Sequence, residues 1–389
     1  MLSDNKTALG YALSLTADEL RNKVSAAYLY GSADTLTSVL NRRYDTVIGA
    51  LFNADTDGVF EQLAKRNPHG LIAGLIAAKK VCGASEALLV LPREEGFAAL
   101  RDAAAKADIA VAVRDFLDVR AHKNDLLLHW ATLAALSDLI VGKPQKTLAA
   151  IGGELRDIAF GETLDSFLPT ENVKALRIGA EFFTPEVLRE PVRPDFFRAG
   201  GAIAIIGGDA CIVQTASEQI SALRRKCCGK CTLCREGLFQ FAEIMCAMSA
   251  GKSAPSELAL ADEIGGALKD AALCSVGKQA ALSVLTALTN FKDELETHIR
   301  GKRCPAGRCM AFTTFYVNPM KCTGCGGCID ACPEDCIEGR PGYISMIDDL
   351  SCTKCGKCAE VCPEGAVVRT QNRKPKLPER LTKVGRFRR

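Results

Sequence analysis

The chain of 389 residues has no apolar run long enough to cross a membrane. Its most apolar stretches, 71–91 and 126–141, are interrupted by Lys79, Lys80, His129 and Asp138, whereas a spanning helix needs roughly 20 largely unbroken apolar residues. Met1–Lys6 holds no charged-then-apolar leader, so export is not expected. The net charge of +3 is too small to imply a polyanionic partner. Its basic excess lies partly in 371–389, with eight Lys or Arg against one Glu, which reads as a solvated or docking tail and not as a nucleic-acid binder. No GxGxxG frame is complete, so Gly200-Gly201 and Gly207-Gly208 default to turns. No nucleophile–base pair, oxyanion loop or paired-carboxylate site stands out. Histidine is scarce, and His69, His122 and His129 read as scattered structural residues.

Cysteine, by contrast, is abundant. Nineteen cysteines with a single Trp point to a reducing cytoplasm and to metal binding, not to disulfides. Apolar content of 48% and charge of 24% are those of a soluble globular protein, and the length admits two or three domains.

Eight of the cysteines fall in two matching runs. Cys322-x-x-Cys325-x-x-Cys328-x-x-x-Cys332-Pro333 is followed by Cys352-x-x-Cys355-x-x-Cys358-x-x-x-Cys362-Pro363. Three thiolates at i, i+3 and i+6 wrap one cubane, and the fourth is carried off to serve the other cubane. The spacing therefore assigns one [4Fe–4S] cluster to Cys322, Cys325, Cys328 and Cys362, and a second to Cys352, Cys355, Cys358 and Cys332. Zinc ribbons close on two CxxC pairs or on histidines, and the third cysteine of each run argues against them. The segment resembles the bacterial two-cluster ferredoxins, with no ligand missing.

Upstream, Thr16-Ala-Asp-Glu19 is a capping box for a helix with Leu20, Val24, Ala27 and Tyr28 on its apolar face. A buried strand is expected at Thr46–Phe52, a helix at Pro68–Val81, a strand at Ala87–Leu91 and a helix from Glu94 to Ala107. Such alternation predicts an α/β layer. Thr46–Val113, with Asn53-Ala54-Asp55 after the strand and Asn67-Pro68-His69-Gly70 before the helix, resembles the flavin domain of the NADH-oxidising subunit of respiratory complex I. The same domain occurs in the β subunit of electron-bifurcating iron-only hydrogenases.

That family cradles its FMN phosphate in a glycine-rich Gly-Arg-Gly-Gly-Ala-Gly-Phe-Pro loop. The corresponding stretch here, Tyr28–Thr37, holds one glycine, no arginine and Asp34. A second family loop, with paired glutamates before Ala-Leu, has no recognisable counterpart between 110 and 146. The flavin site is read as degenerate and FMN as absent, with Asp55 and Asp57 as turn formers. Lys146–Val192, with strands at Leu148–Ile151 and Leu176–Ile178, resembles the family's β-grasp-like module, and Ala202–Ile206 reads as a strand after a linker.

Cys228-Gly-Lys-Cys231-Thr-Leu-Cys234-Arg-Glu-Gly237 matches the family's own cluster motif. It leads into an amphipathic helix carrying Leu238, Phe241, Ile244 and Met245. The resemblance implies Cys274, in Leu-Cys274-Ser-Val-Gly277, as fourth ligand of a third [4Fe–4S] cluster, with a helix from about Gln279 starting over it. Lys226, Lys230 and Arg235 are expected to offset its charge, and Cys227, one residue out of phase, reads as a bystander.

Cys304 and Cys309 follow His298 as His-x5-Cys-x4-Cys, a spacing that suits a structural zinc. A reduced cysteine pair beside a surface histidine would read the same. The hydrogenase β subunits carry a similar connector, which implies zinc, with Cys211 as first choice of fourth ligand and Cys246 as second. Cys82 and Cys336 read as small core residues.

The expected fold is a multidomain α+β chain. It comprises a degenerate flavin-domain-like α/β layer (1–145), a β-grasp-like module (146–195), a helical [4Fe–4S] bundle (196–300), a two-cluster ferredoxin fold (301–370) and a basic tail (371–389). The expected function is a flavin-free iron–sulfur electron relay within a multisubunit cytoplasmic oxidoreductase, partnered by a flavin- or NAD(P)H-binding subunit, a ferredoxin or both. The alternatives are an FMN-bearing NAD(P)H-oxidising or -reducing subunit of the same family, and a scaffold whose clusters are structural.

Overall fold

The computed structural model describes residues 2–40, 42–52, 54–115, 118–119, 122–198, 200–371 and 373–387. The chain divides into two compact units. The first holds residues 1–208, 215–243 and 256–292, and the second 209–214, 244–255 and 293–389. Residues of the expected 196–300 bundle therefore contribute to both.

In the first unit α1 (Leu2–Ser14) and α2 (Ala17–Val24) precede the one-turn α3 (Leu36–Val39). The Thr16 hydroxyl accepts the Glu19 N–H while the Glu19 carboxylate accepts the Thr16 N–H at 2.8 Å, which makes the capping box and fixes the start of α2. There follow β1 (Thr46–Ala50), α4 (Val59–Arg66), α5 (Pro68–Cys82), β2 (Glu86–Leu91), α6 (Ala98–Lys106), β3 (Ala110–Val113), β4 (Asp125–His129) and α7 (Trp130–Ile140). The four strands form a parallel sheet in the order β3-β2-β1-β4. Its central strand β1 is buried along most of its length, as a strand covered by helices must be. α5 is apolar nearly all round and starts at an Asn67 cap with Pro68 in its first turn.

A second sheet is built from β5 (Lys146–Ile151), β6 (Glu154–Ala159), β7 (Val173–Ile178), β8 (Glu181–Phe183) and β9 (Ala202–Gly207), ordered β6-β5-β9-β7-β8. β9 is its central strand, so the β-grasp-like sheet closes only with a strand that lies beyond residue 195. Gly200, with φ 119°, marks the entry to β9 and not the end of the module.

The helices of the cluster region are α8 (Ile212–Lys226), α9 (Thr232–Ser249), α10 (Ser256–Ala271) and α11 (Ser275–Asn290), followed by α12 (Lys292–Ile299). α9 buries Leu238, Phe241, Ile244 and Met245, the face read from its periodicity. α11 is tied to β8, because Thr286 accepts the Phe182 N–H (2.9 Å) and Asn290 donates to its carbonyl (2.7 Å).

The second unit ends in β10 (Thr314–Val317), α13 (Gly327–Asp330), β11 (Ile337–Glu338), β12 (Met346–Ile347), α14 (Lys357–Glu360) and β13 (Val367–Thr370). β10 pairs antiparallel with β13, and β11 with β12. Phe315, Val317, Ile337, Ile344, Ala366 and Val367 pack with Cys328, Cys336 and Cys358 into its core. Among the described residues no helix is long and apolar enough to cross a membrane.

Candidate metal centres

In a doubly wound parallel sheet a ligand binds beyond the carboxyl ends of the strands, where the strand order reverses. Here that point lies between β1 and β4, and it is occupied by side chains. His129, the last residue of β4, stacks on Tyr30 (4.3 Å between centroids) and meets Phe60 (4.6 Å) and Phe52 (4.9 Å) edge-on. Tyr30 also meets Phe60 at 5.0 Å. Its hydroxyl donates to the Phe197 carbonyl and its amide to Thr132 Oγ1. Burial pushes the His129 imidazole down to about 3, and its Nδ1 accepts the Ala131 N–H that opens α7. The amides at the start of α4, which could hold an anion, are taken by the chain itself. The buried Asp55 carboxylate accepts from Val59, Phe60 and Glu61 at 2.7–3.1 Å. Asp57 instead pairs with Arg177 (2.9 Å). Asn53 lies outside the described residues.

The same loop reaches the cluster region, since the Ala54 N–H donates to Gln279 of α11 at 3.0 Å. At the amino end of that helix Cys274 stands in the capping position. Cys228, Cys231, Cys234 and Cys274 line one small cavity, together with Cys227, Lys226 and Val276. Burial pushes the Cys274 thiol up, while the amides of Val276 and Gly277 pull the other way. A Cβ at Gly277 would fall 2.7 Å from that of Ala272 and 3.4 Å from Cys234 Sγ, so glycine lets α11 start against the cysteines. Two of the three cations expected to offset cluster charge are engaged elsewhere. Lys230 is held by Asp115 (2.7 Å) and Asp118 (2.8 Å), and Arg235 pairs with Glu236 (2.9 Å). Asp115 and Asp118, brought in from far along the chain, and Glu236, next to Arg235, compete for these cations, and Lys226 lines the cavity.

In the ferredoxin-like region the two cysteine runs fold alike. Gly326 and Gly356, both at φ 84°, turn the chain into α13 and α14, which carry the buried Cys328 and Cys358. Cys325 and Cys355 are both exposed. One cavity is lined by Cys322, Cys325, Cys328 and Cys362, and another by Cys352, Cys355, Cys358 and Cys332. The cysteines are thus grouped in the crossed sets that the spacing calls for. Amides of Ala366 and Lys354 donate to the Cys362 and Cys352 sulfurs at 3.2 and 3.4 Å, bonds that stabilise thiolate charge.

Cys211, His298, Cys304 and Cys309 are all buried, and their ligand atoms lie within 4.8 Å of one another. Cys211 Sγ is 3.3 Å from His298 Nε2 and 3.6 Å from Cys309 Sγ, and Cys309 Sγ is 3.6 Å from Nε2. A tetrahedral metal with ordinary Zn–S and Zn–N bonds has ligand edges of about 3.5–3.8 Å, so the donor set fits such an ion. His298 Nδ1 bonds to the Glu294 carbonyl (2.8 Å), which aims Nε2 at the three sulfurs. The hydrogen bonds from Cys309 and His298 hold the Cys211 thiol well below its ordinary value against burial. Cys246 is exposed and takes no part in the group.

Comparison with known proteins agrees with this layout. Residues 214–298 match the region described as "NADH-ubiquinone oxidoreductase-F iron-sulfur binding region", and 321–366 match a "4Fe-4S dicluster domain". The chain is related to the F subunits of NADH-quinone oxidoreductases. It is 29% identical over 185 residues to the F-type NADH-quinone oxidoreductase protein of Streptomyces coelicolor, covering 45% of this chain and 40% of that protein. It is 35% identical over 139 residues to the HndC protein of the NADP-reducing hydrogenase of Solidesulfovibrio fructosivorans, covering 36% and 28%. The matched part of this chain therefore spans less than half the length of these relatives. In fold it resembles a chain of an NAD+-reducing [NiFe]-hydrogenase in the H2-reduced state, with TM-score 0.62 at 16% identity over 74% of this chain and 64% of that one.

Two cysteines that sequence reasoning left out of the ligand sets lie against them, Cys336 while also buried in the core as expected. Cys336 lies 3.4 Å from Cys332 and lines the second ferredoxin-like cavity. Cys227 lies 3.8 Å from Cys234. Their sequence signal was adjacency to a motif, which spacing rules alone discard. Cys82 is a core residue, its thiol pushed up to about 11 by burial.

Proposed function

We propose that this chain is an electron-relay subunit of a multisubunit cytoplasmic oxidoreductase. It holds three [4Fe–4S] clusters and no flavin of its own. The observation that carries this reading is the contrast between three cavities, each lined by four or five cysteines, and a switch-point crevice filled by Tyr30, Phe52, Phe60 and His129. Bound clusters supply one-electron redox chemistry without bonds to substrate. The chain's own residues hold them, Cys228, Cys231, Cys234 and Cys274 in the helical region and the two crossed sets in the ferredoxin-like region.

The residues at the β1/β4 crevice do not fit FMN. An isoalloxazine ring would have to displace a buried aromatic cluster, and its phosphate would meet Asp55 at the amides it needs. The partners this reading calls for are a flavin- or NAD(P)H-binding subunit, a ferredoxin, or both. Cys211, His298, Cys304 and Cys309 hold a zinc ion that ties α12 and its connector together, a structural and not a redox role.

Anaerobic purification tests the reading. We expect about twelve irons per chain, three signals reducible by dithionite in electron paramagnetic resonance, about one zinc, and no flavin in the acid supernatant. A stoichiometric flavin would overturn the relay without a flavin, and clusters that resist every reductant would make the chain a scaffold.

A further inference from the structure

We infer that Cys227 is a reserve ligand of the Cys228 cluster, able to take the iron that Cys234 holds. This rests on the reading that Cys228, Cys231, Cys234 and Cys274 bind a cluster. Cys227 closes the last turn of α8, where its amide donates to the Arg224 carbonyl (3.1 Å). Its sulfur lies 3.8 Å from Cys234 Sγ, and both line the same cavity. Thiolates bound to different irons of one cubane point away from each other and cannot be in contact. Two sulfurs about 3.8 Å apart are instead placed as two thiolates on one tetrahedral metal are, given metal–sulfur bonds of about 2.3 Å. Cys227 and Cys234 therefore address the same corner.

They come to it from different helices. Cys227 arrives from the end of α8 and Cys234 from the first turn of α9, so either can serve without rebuilding the other's backbone. Cys234 is buried, whereas Cys227 is partly exposed, which makes Cys234 the resident ligand and Cys227 the substitute. The exchange is redox-neutral. Cys227 gives up its thiol proton and binds the iron as thiolate, and the departing Cys234 sulfur takes a proton.

The test uses the full chain purified without air, with iron content, electron paramagnetic resonance and mass-spectrometric mapping of iodoacetamide labelling. Wild type should label at Cys227 and be protected at Cys234. Cys228→Ser should lose about one third of the iron, four of about twelve. Cys234→Ser, a near-isosteric change, should keep the full iron content with Cys227 now protected. The double variant C227A/C234S should lose the same third as Cys228→Ser. Loss of that third from Cys234→Ser alone, or continued labelling of Cys227 in it, would overturn the inference. Only the absence of this cluster from wild type would count against the underlying reading.

Discussion

The β1/β4 crevice and the ferredoxin-like region have fared differently. In the ferredoxin-like region every position that the two-run motif calls for carries its cysteine. In the crevice the positions that would face a ligand carry Tyr30, Phe52, Phe60 and His129, packed on one another. A cluster is held by single sulfurs at fixed spacings, so the completeness of such a site is read position by position. A phosphate cradle is made of backbone amides on small residues, and a few bulky side chains close it while the sheet beneath stays whole. On the relay reading, the fold has outlived one site while it keeps another.

The sharpest way to break this comparison is at the crossed cysteines. Because Cys332, which the second cavity borrows, stands just after Cys328 in the run that the first cluster orders, Cys328→Ser should release both ferredoxin-like clusters. Iron should fall from about twelve to about four per chain, whereas Cys231→Ser should remove only about four. Iron assay with paramagnetic resonance distinguishes these, and loss of four irons from both variants would mean that the two runs load independently. Next in size, Cys304→Ala should release about one zinc and cost several kcal/mol of folding free energy, read by metal analysis and the thermal midpoint of the second unit.

Within the crevice, Phe60→Ala removes a fully buried ring and should cost about 3–5 kcal/mol. Trp130, the only tryptophan and fully buried beside Phe97, reports unfolding of this region by its fluorescence. The iron content should not change, and a fall in iron would show that the aromatic cluster supports the metal sites.

The smallest effect is one of pH. The imidazole of His129 is held near 3 by burial in the folded chain and titrates near 6.5 when unfolded. The unfolded state then binds more protons between these values. The stability this neutral histidine contributes is complete above pH 6.5 and is lost as pH falls toward 3, by about 1.4 kcal/mol per pH unit. His129→Phe should flatten that slope in denaturant titrations followed by Trp130 between pH 7.5 and 5.5, and an unchanged slope would assign the pH dependence to other groups.

The sites built from local spacing were the legible ones. Three cysteines on a tight loop declare themselves, and the crossed fourth ligands follow from the doubling of the motif. Cys274 and Cys211 are remote in sequence from their partners and came only through resemblance. The joint between β4 and α7 was not legible, because β4 is a buried parallel strand without alternation and passes straight into an apolar helix with no glycine or proline between them. β9 was placed in the wrong layer for a similar reason: Gly200-Gly201 punctuates the sequence, but the chain re-enters the sheet between β5 and β7. Lys230 and Arg235 were read by their nearness to cysteines; folding brings Asp115 and Asp118 to Lys230, while Glu236 stands beside Arg235 in the sequence.

The borrowing between the two cysteine runs also constrains synthesis. A ribosome that has just made Cys328 has produced three quarters of a site, and the missing sulfur, Cys362, has yet to be translated. Iron delivered to the nascent chain at that moment finds no closed cage. On the relay reading, neither ferredoxin-like cube can be closed until the second run has emerged, so both are inserted late.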